Sequence, residues 1–311
     1  MLQAKYSMIL GAEGGVLDDL IVYRTAEGAE PGSEADPAEA FLVVANAGNR
    51  EAVAAALAER AAVFPGVAVE DVSDGYALLA LQGPAAERIL AAVDGLAVAG
   101  SATPLAEALA AVRNYRAIRL AWHDGEILAA RTGYTGEDGF ELMVGASEGL
   151  ALWDALLAAG APLGLLPAGL AARDTLRLEA GMPLYGHELG LDVHPAQAGL
   201  GRVVVDTGAD MVARDWALAP LDPDAPVLVG LAGDGRRAAR AGYPVLDASG
   251  ATVGAVTSGV LSPTLGHPIA LASVHPSVAA VGTAVEVDVR GTRIPFTVVE
   301  TPFYRRAKAG S

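Results

Sequence analysis

The stretch RTGYTGEDGFEL, residues 131–142, sets three glycines (Gly133, Gly136 and Gly139) into seven residues and then turns apolar. Glycine supplies backbone angles that other residues avoid, so the first part reads as a tight, irregular turn and not as a helix. Beyond it Phe140, Leu142 and Val144 alternate with Glu141 and Met143. Successive side chains of a strand point to opposite faces, which turns Glu141 away from the Phe/Leu/Val face. A carboxylate fixed on a strand just past a glycine-rich turn can bind a ligand rich in N–H donors. A surface hairpin with a solvated glutamate explains the same residues, because glycine turns are common. The stretch alone leaves both readings open.

The rest of the chain narrows the class. At 311 residues it has room for about two domains. It is 52% hydrophobic, with a mean hydropathy of +0.37, enough to bury a large core. Its least charged run, residues 155–172, is broken by two prolines and three glycines. A membrane-spanning helix needs about 20 apolar residues with few breakers, so no membrane span is expected. The N-terminus carries neither the apolar stretch of a signal peptide nor a transit pattern, which makes a cytoplasmic protein the expectation. A formal charge of −16 argues against a nucleic-acid partner, which would call for a basic face. The chain has no cysteine, so disulfides, thiolate metal sites and cysteine nucleophiles are excluded.

Periodicity predicts strands over 14–24, 41–45, 76–82, 117–122 and 126–131. It predicts helices over 50–63, 84–93, 104–113, 149–160 and 166–181. From about residue 225 the texture changes to short strands (VLVGLAG, ATVGAVTSG, AVEVDV, RIPFTVVE) between Gly, Pro and Asp turns, the pattern of a small barrel-like β domain. ALAPLDPDAP, residues 217–226, is a natural boundary. The expected fold class is α+β: a mixed α/β region over 1–216, then a β-barrel domain over 225–311.

Known catalytic motifs are missing. The five histidines, His123, His187, His194, His267 and His275, show no HExxH or other close metal spacing, so no metal is expected. There is no GxSxG elbow, GxxxxGK[ST] loop or GxGxxG turn after a strand. What remains is carboxylates and arginines beside glycine-rich turns. Asp18 and Asp19 are neighbours on one predicted strand and so must face opposite ways. Periodicity does not say which of them enters a pocket, and two solvated aspartates fit as well. Arg173 and Arg177 share a helical face with Asp174, where structural ion pairing is the expected job of at least one. The basic clusters Arg236/Arg237/Arg240 and Arg305/Arg306/Lys308 read first as solvated surface and second as anion contacts.

Six segments then occur in one order: GGVLDDLIVYR (14–24), NAGNRE (46–51), ALLALQGPAAERIL (77–90), TGYTGEDGFEL (132–142), LAARDTLRLEAGMPLYGHEL (170–189) and TSGVLSPTLGHPIALA (257–272). This series resembles the aminomethyltransferase (T-protein) family of the glycine cleavage system, from about Tyr6 to the C-terminal PFYRR. The resemblance implies a folate-binding mixed α/β region over 1–216 followed by the family's C-terminal barrel. It implies a reaction in which an aminomethyl group on the lipoyl arm of H-protein passes to tetrahydrofolate. The products are ammonia and 5,10-methylenetetrahydrofolate. It makes tetrahydrofolate the co-substrate and lipoylated H-protein the partner, with no metal.

Residue by residue, the resemblance makes Glu141 the pterin contact and Asp18 the catalytic carboxylate. It carries Tyr6, Asn46, Tyr134, Arg173 and Arg306 over as further folate-binding positions. Two departures stand out. Family members carry a sizeable segment, with a Gly-Trp motif and a DVSHM-like stretch, before the GG–DD strand, whereas Tyr6 is almost at the start here. The expectation is an N-terminally incomplete first region with an exposed sheet edge and core face. MVARDWALA (211–219) stands where the family has a FIGREAL-like segment. A folate-dependent demethylase on the same fold and a truncated, inactive remnant remain as alternatives. A folate-binding iron–sulfur assembly factor is disfavoured, since its KGCYTGQE-type motif needs a cysteine.

Overall fold

In the computed structural model, which describes residues 1–25, 40–206, 208 and 210–306, eight strands of the N-terminal half form one sheet. They are β1 (Leu2–Leu10), β2 (Val16–Arg24), β3 (Phe41–Val44), β4 (Tyr76–Gln82), β5 (Ala97–Val98), β6 (Arg116–Trp122), β7 (Gly125–Ala130) and β8 (Gly139–Gly145). The order is β3-β2-β1-β6-β7-β8-β4, with β5 on β6. The chain divides into two units. The first is Met1–Tyr6, Ile21–Val44 and Ala54–Gly169; the second is Ser7–Leu20, Ala45–Val53 and Leu170–Ser311.

Alternation explains the sheet of the first unit. On β8 Phe140, Leu142 and Val144 are buried, and Glu141 and Met143 take the other face, as the sequence predicts. The Phe140 face gathers Leu81, Leu120 and Ile127 from neighbouring strands into the main core. Helices α1 (Arg50–Ala61), α2 (Ala86–Ala91), α3 (Leu105–Ala111) and α4 (Gly149–Gly160) punctuate the strands. α2 presents Ala86, Ile89 and Leu90 and α4 presents Leu152 and Leu156 to that core, the i, i+3, i+4 spacing of a helical stripe. A six-residue helix such as α2 is too short to hold by propensity. Burying a leucine or isoleucine is worth about 1.5–3 kcal/mol, so packing holds it. On the opposite sheet face Leu2, Ala4, Tyr23, Ala117 and Ala130 form a smaller cluster. β1 was not expected from the sequence. Leu2 and Ala4 are buried while Gln3 and Lys5 are exposed, the alternation of a strand carried by only two small or aliphatic side chains before it fades.

In the second unit Gly15 adopts φ +74°, and any Cβ there would run into the Leu191 backbone carbonyl. The turn can therefore press against the 189–193 segment, beside a cluster of Leu10, Val16, Leu189, Ala198 and Ala217. Helix α5 (Leu170–Glu179) starts later than the predicted 166, because Pro167 and Gly169 disfavour helix before it. After the short α6 (Arg214–Leu218) come six strands: β9 (Val227–Gly233), β10 (Pro244–Leu246), β11 (Thr252–Leu261), β12 (Pro268–Val274), β13 (Ala284–Val289) and β14 (Thr292–Val299). They close a barrel in the order β10-β11-β12-β9-β14-β13. Leu231, Val245, Val256, Val287, Phe296 and Val298 fill it. β12, which was not expected from the sequence, shows no alternation because nearly all of it is buried. Ala270 and Ala272 face the barrel core, and Ile269 and Leu271 pack on Leu178 of α5. A strand covered on both faces reads as a continuous apolar run.

Candidate active-site residues

Two clusters, one in each unit, collect the polar groups that the sequence singled out. In the second unit Asp18 is completely buried at the centre of a knot of amides. The Asn46 backbone N–H donates to its Oδ2 at 2.9 Å, and the Asn46 side-chain amide donates to its Oδ1 at 2.8 Å. The Asn49 amide adds a third bond, 2.7 Å to Oδ1. The same Asn46 amide reaches the Oδ1 of Asp19 at 2.9 Å. β2 does separate the neighbouring aspartates, since Asp18 is buried and Asp19 only half-buried. Tyr185 completes the knot through a hydrogen bond with Asn49; burial first, then the charges of Asp18 and Asp19, push its hydroxyl above the usual tyrosine range.

In the first unit the 131–142 turn is tied at both ends. Arg131 donates to Asp138 at 2.8 and 2.5 Å and to Glu87 of α2 at 2.8 Å. It also meets the carbonyls of Leu109 and Val112, which makes it a structural clamp. These bonds, with Asp138 foremost, raise its guanidinium further. Gly133 has φ +145°, and a side chain there would overlap the Gln82 amide. Gln82 in turn donates to the carbonyls of Thr132 at 3.1 Å and Phe140 at 3.3 Å. The start of the turn is thereby fixed against the residue before Glu141.

Glu141 lies on β8 between Ala80 of β4 and Ala130 of β7. The Thr132 hydroxyl donates to its Oε2 at 2.5 Å, and the Tyr23 hydroxyl lies 3.4 Å from the Thr132 oxygen. Burial pushes the Glu141 carboxyl above the usual range, against the opposite pull of the Thr132 hydrogen bond. Burial also pushes Tyr23 up to about 12. Tyr115 is raised by burial and then by the Glu141 charge. Glu141 is thus a carboxylate among hydroxyls.

The remaining sequence candidates are spread out. Tyr6 on β1 and Tyr134 in the turn are half-buried. Arg173 is exposed on α5, one turn before Arg177, which is 2% exposed and pairs with Asp174 and Glu188, the structural role expected of one member of that pair. Arg306 is exposed, as are Arg236, Arg237 and Arg240, and Lys308 lies outside the described residues. The sequence reading missed Thr132, Tyr23, Asn49 and Tyr185. All four stand inside the quoted segments, and Thr132 and Asn49 are ordinary turn residues by type. Tyr23 and Tyr185 become visible only once the chain is folded. Among the described residues no group of three His, Cys, Asp or Glu side chains is arranged to hold a metal ion. No helix among them is long and apolar enough to cross a membrane.

Known proteins match most of the chain. The GCVT N-terminal domain family matches residues 2–207, and the glycine cleavage T-protein C-terminal barrel domain family matches residues 227–305. An aminomethyltransferase of Saccharopolyspora erythraea is 52% identical over 307 residues, covering 98% of this chain and 77% of the relative. One from Cutibacterium acnes is 51% identical over 308 residues, covering 98% and 78%. The crystal structure of glycine cleavage system aminomethyltransferase T from Bartonella henselae superposes with a TM-score of 0.78 at 32% identity, covering 98% of this chain and 78% of that one.

Proposed function

This chain belongs to the glycine cleavage T-protein family of aminomethyltransferases, and on that footing we propose that it moves an aminomethyl group from the lipoyl arm of H-protein to tetrahydrofolate. The carbon leaves sulfur for the folate nitrogens, ammonia departs, and dihydrolipoyl H-protein and 5,10-methylenetetrahydrofolate remain. The carbon stays at the oxidation level of formaldehyde throughout, so the exchange itself needs no electron acceptor.

One observation carries the folate part of the reading. Among the described residues no cation pairs with Glu141, and only the Thr132 hydroxyl hydrogen-bonds its carboxylate. Its other lone pairs suit the in-plane N–H donors of a pterin. Asp18 is the catalytic carboxylate of the proposal. Held by three N–H donors, it offers a fixed negative charge that steadies the iminium-like carbon as ammonia leaves. Asn46 fixes it, and Tyr6, Tyr134, Arg173 and Arg306 are proposed as further folate contacts. The division into a folate-binding region over 1–216 and a barrel domain over 225–311 belongs to the same proposal, as does a cytoplasmic location. The demethylase alternative has less behind it, since the relatives above are aminomethyltransferases.

The test is aminomethyl transfer from loaded, lipoylated H-protein to tetrahydrofolate, read as ammonia and methylenetetrahydrofolate formed. Transfer is expected, with Asp18→Asn lowering turnover far more than folate affinity and Asp19→Asn mild. No transfer by the folded chain overturns the reading; equal effects of the two substitutions overturn the choice of Asp18.

A further inference from the structure

We propose that Thr132 is a positioning residue for Glu141, the middle of a one-way hydrogen-bond chain that runs from Tyr23 through Thr132 to the carboxylate and fixes which oxygen is left for the ligand. The inference rests on the reading of Glu141 as the pterin acceptor and adds how that acceptor is prepared.

The direction of the chain follows from donor counting. A threonine hydroxyl has one proton, and an ionised carboxylate can only accept. With the Thr132 hydroxyl oxygen 2.5 Å from Oε2, its proton is therefore committed to Glu141. The contact with Tyr23, 3.4 Å away, must then run from the Tyr23 hydroxyl to the Thr132 oxygen. Tyr23 is 3% exposed, and its hydroxyl, raised to about 12, keeps its proton at any physiological pH. One lone pair of Oε2 is occupied, and Oε1 is left open.

The backbone shows why this threonine cannot drift. Thr132 is 7% exposed, and its own N–H is bound to the Ala130 carbonyl at 2.9 Å. Its carbonyl and that of Phe140 share one donor, the Gln82 amide. The spacing between the Thr132 and Glu141 side chains is thus set by a third residue that touches neither hydroxyl nor carboxylate. The adjacent Gly133, at φ +145° and with the Gln82 amide where a side chain would stand, is part of the same fitting.

The chemistry gives Thr132 a second effect. Burial opposes ionisation of Glu141, and no cation among the described residues offsets it. The charged groups nearest in sequence are spoken for, since Arg131 is bound to Asp138 and Glu87. The cross-strand neighbours Ala80 and Ala130 do not titrate, and the facing groups that do, Tyr23 and Tyr115, are neutral hydroxyls. The Thr132 hydrogen bond is what pulls the carboxyl back towards ionisation. Without it Glu141 takes up a proton at higher pH and presents an O–H where the ligand needs an acceptor.

The test is binding of 5-formyltetrahydrofolate, an oxidation-stable probe, by the full chain as a function of pH. Thr132→Val is expected to weaken binding roughly tenfold at neutral pH and to move the acid-side loss of affinity to higher pH. Thr132→Ser is expected to recover most of the affinity and the wild-type limb. Tyr23→Phe should move the limb the same way by less. A Thr132→Val protein whose limb stays in place while Glu141→Gln binds poorly overturns the role of Thr132 and leaves the pterin reading standing. Wild-type binding by Glu141→Gln overturns both. Should Thr132→Val not fold, Tyr23→Phe and Thr132→Ser decide: a moved limb in the first and a wild-type limb in the second support the chain, and an unmoved limb in Tyr23→Phe overturns it.

Discussion

Asn46 grips Asp18 at both carboxylate oxygens, with its backbone N–H at 2.9 Å from Oδ2 and its side-chain amide at 2.8 Å from Oδ1. The amide also reaches Asp19, so one residue ties together two aspartates that a strand separates. A hydrogen bond to a charged group is worth about 1.5–3 kcal/mol, and the other amide of the knot, Asn49, bonds Oδ1.

Asn46→Ala is therefore expected to cut kcat for aminomethyl transfer by roughly one to two orders of magnitude, with a smaller change in folate affinity. Asn46→Asp should be worse, because it sets a third carboxylate against Asp18 and Asp19. Steady-state kinetics of the two variants check this; an Asn46→Asp enzyme that outperforms Asn46→Ala contradicts the knot as a charge-orienting device.

Much of this architecture was legible before folding. β4 and α4 begin and end where periodicity put them, and the face assignment on β8 placed Glu141 correctly against Phe140 and Leu142. The reason is physical: glycine brackets each apolar run, Gly75 and Gly83 around β4 and Gly149 and Gly160 at the ends of α4. β12 shows no alternation, because its two faces are both covered. β1 has a real alternation at Leu2 and Ala4, but it weakens after Lys5, where Tyr6, Ser7 and Met8 are all half-buried. At the candidate sites the carboxylates could be named from order and type, whereas their supporting hydroxyls and amides could not. Thr132 and Asn49 matter only through distances that no spacing along the chain encodes.

Alkaline stability should depend on Tyr23. Burial is the first cause of its rise from 10.0 to about 12. A group whose folded pKa is raised contributes fully below its unfolded pKa and loses that contribution as pH climbs through the folded one. The window is pH 10 to 12, and two pKa steps correspond to about 3 kcal/mol. Tyr23→Phe should flatten this decline in denaturant unfolding, while below pH 10 it costs only the weak hydroxyl contact with Thr132. A variant with the wild-type slope between pH 10 and 12 would locate the alkaline loss elsewhere.

The second unit depends on a buried charge pair. Arg177 and Glu188 meet at 3.0 Å, with Ser258 of β11 bridging them at 2.7 and 2.6 Å. Desolvation offsets much of the attraction in such a pair, but removing Arg177 leaves the Glu188 charge buried without its cation, at about 3–5 kcal/mol, whereas Arg177 without Glu188 keeps Asp174 at 2.7 Å. Arg177→Met is expected to destabilise by that amount in urea, and Glu188→Leu by less. The double variant should cost clearly less than the sum, because no orphaned charge remains. Additive losses would show that the two side chains act independently.

Glu141 should show a conflict between stability and binding. Burial raises its carboxyl, so a raised folded pKa means that stability is fully present below the usual carboxylate range and declines as pH rises through the folded value. At neutral pH the ionised group is held at a cost. Glu141→Gln removes the charge and keeps a carbonyl oxygen for the Thr132 hydroxyl, so the ligand-free variant is expected to be at least as stable as the wild type near pH 7. It should also lose the decline of stability between acid and neutral pH. The same substitution replaces one acceptor by an NH₂ donor facing the pterin's own donors, and tetrahydrofolate affinity should fall by about 1.5–3 kcal/mol. Unfolding curves across pH and titration calorimetry on one preparation test both halves. A variant that is destabilised at neutral pH, or that binds tetrahydrofolate normally, would mean that the Glu141 charge is held for the fold and not for the ligand.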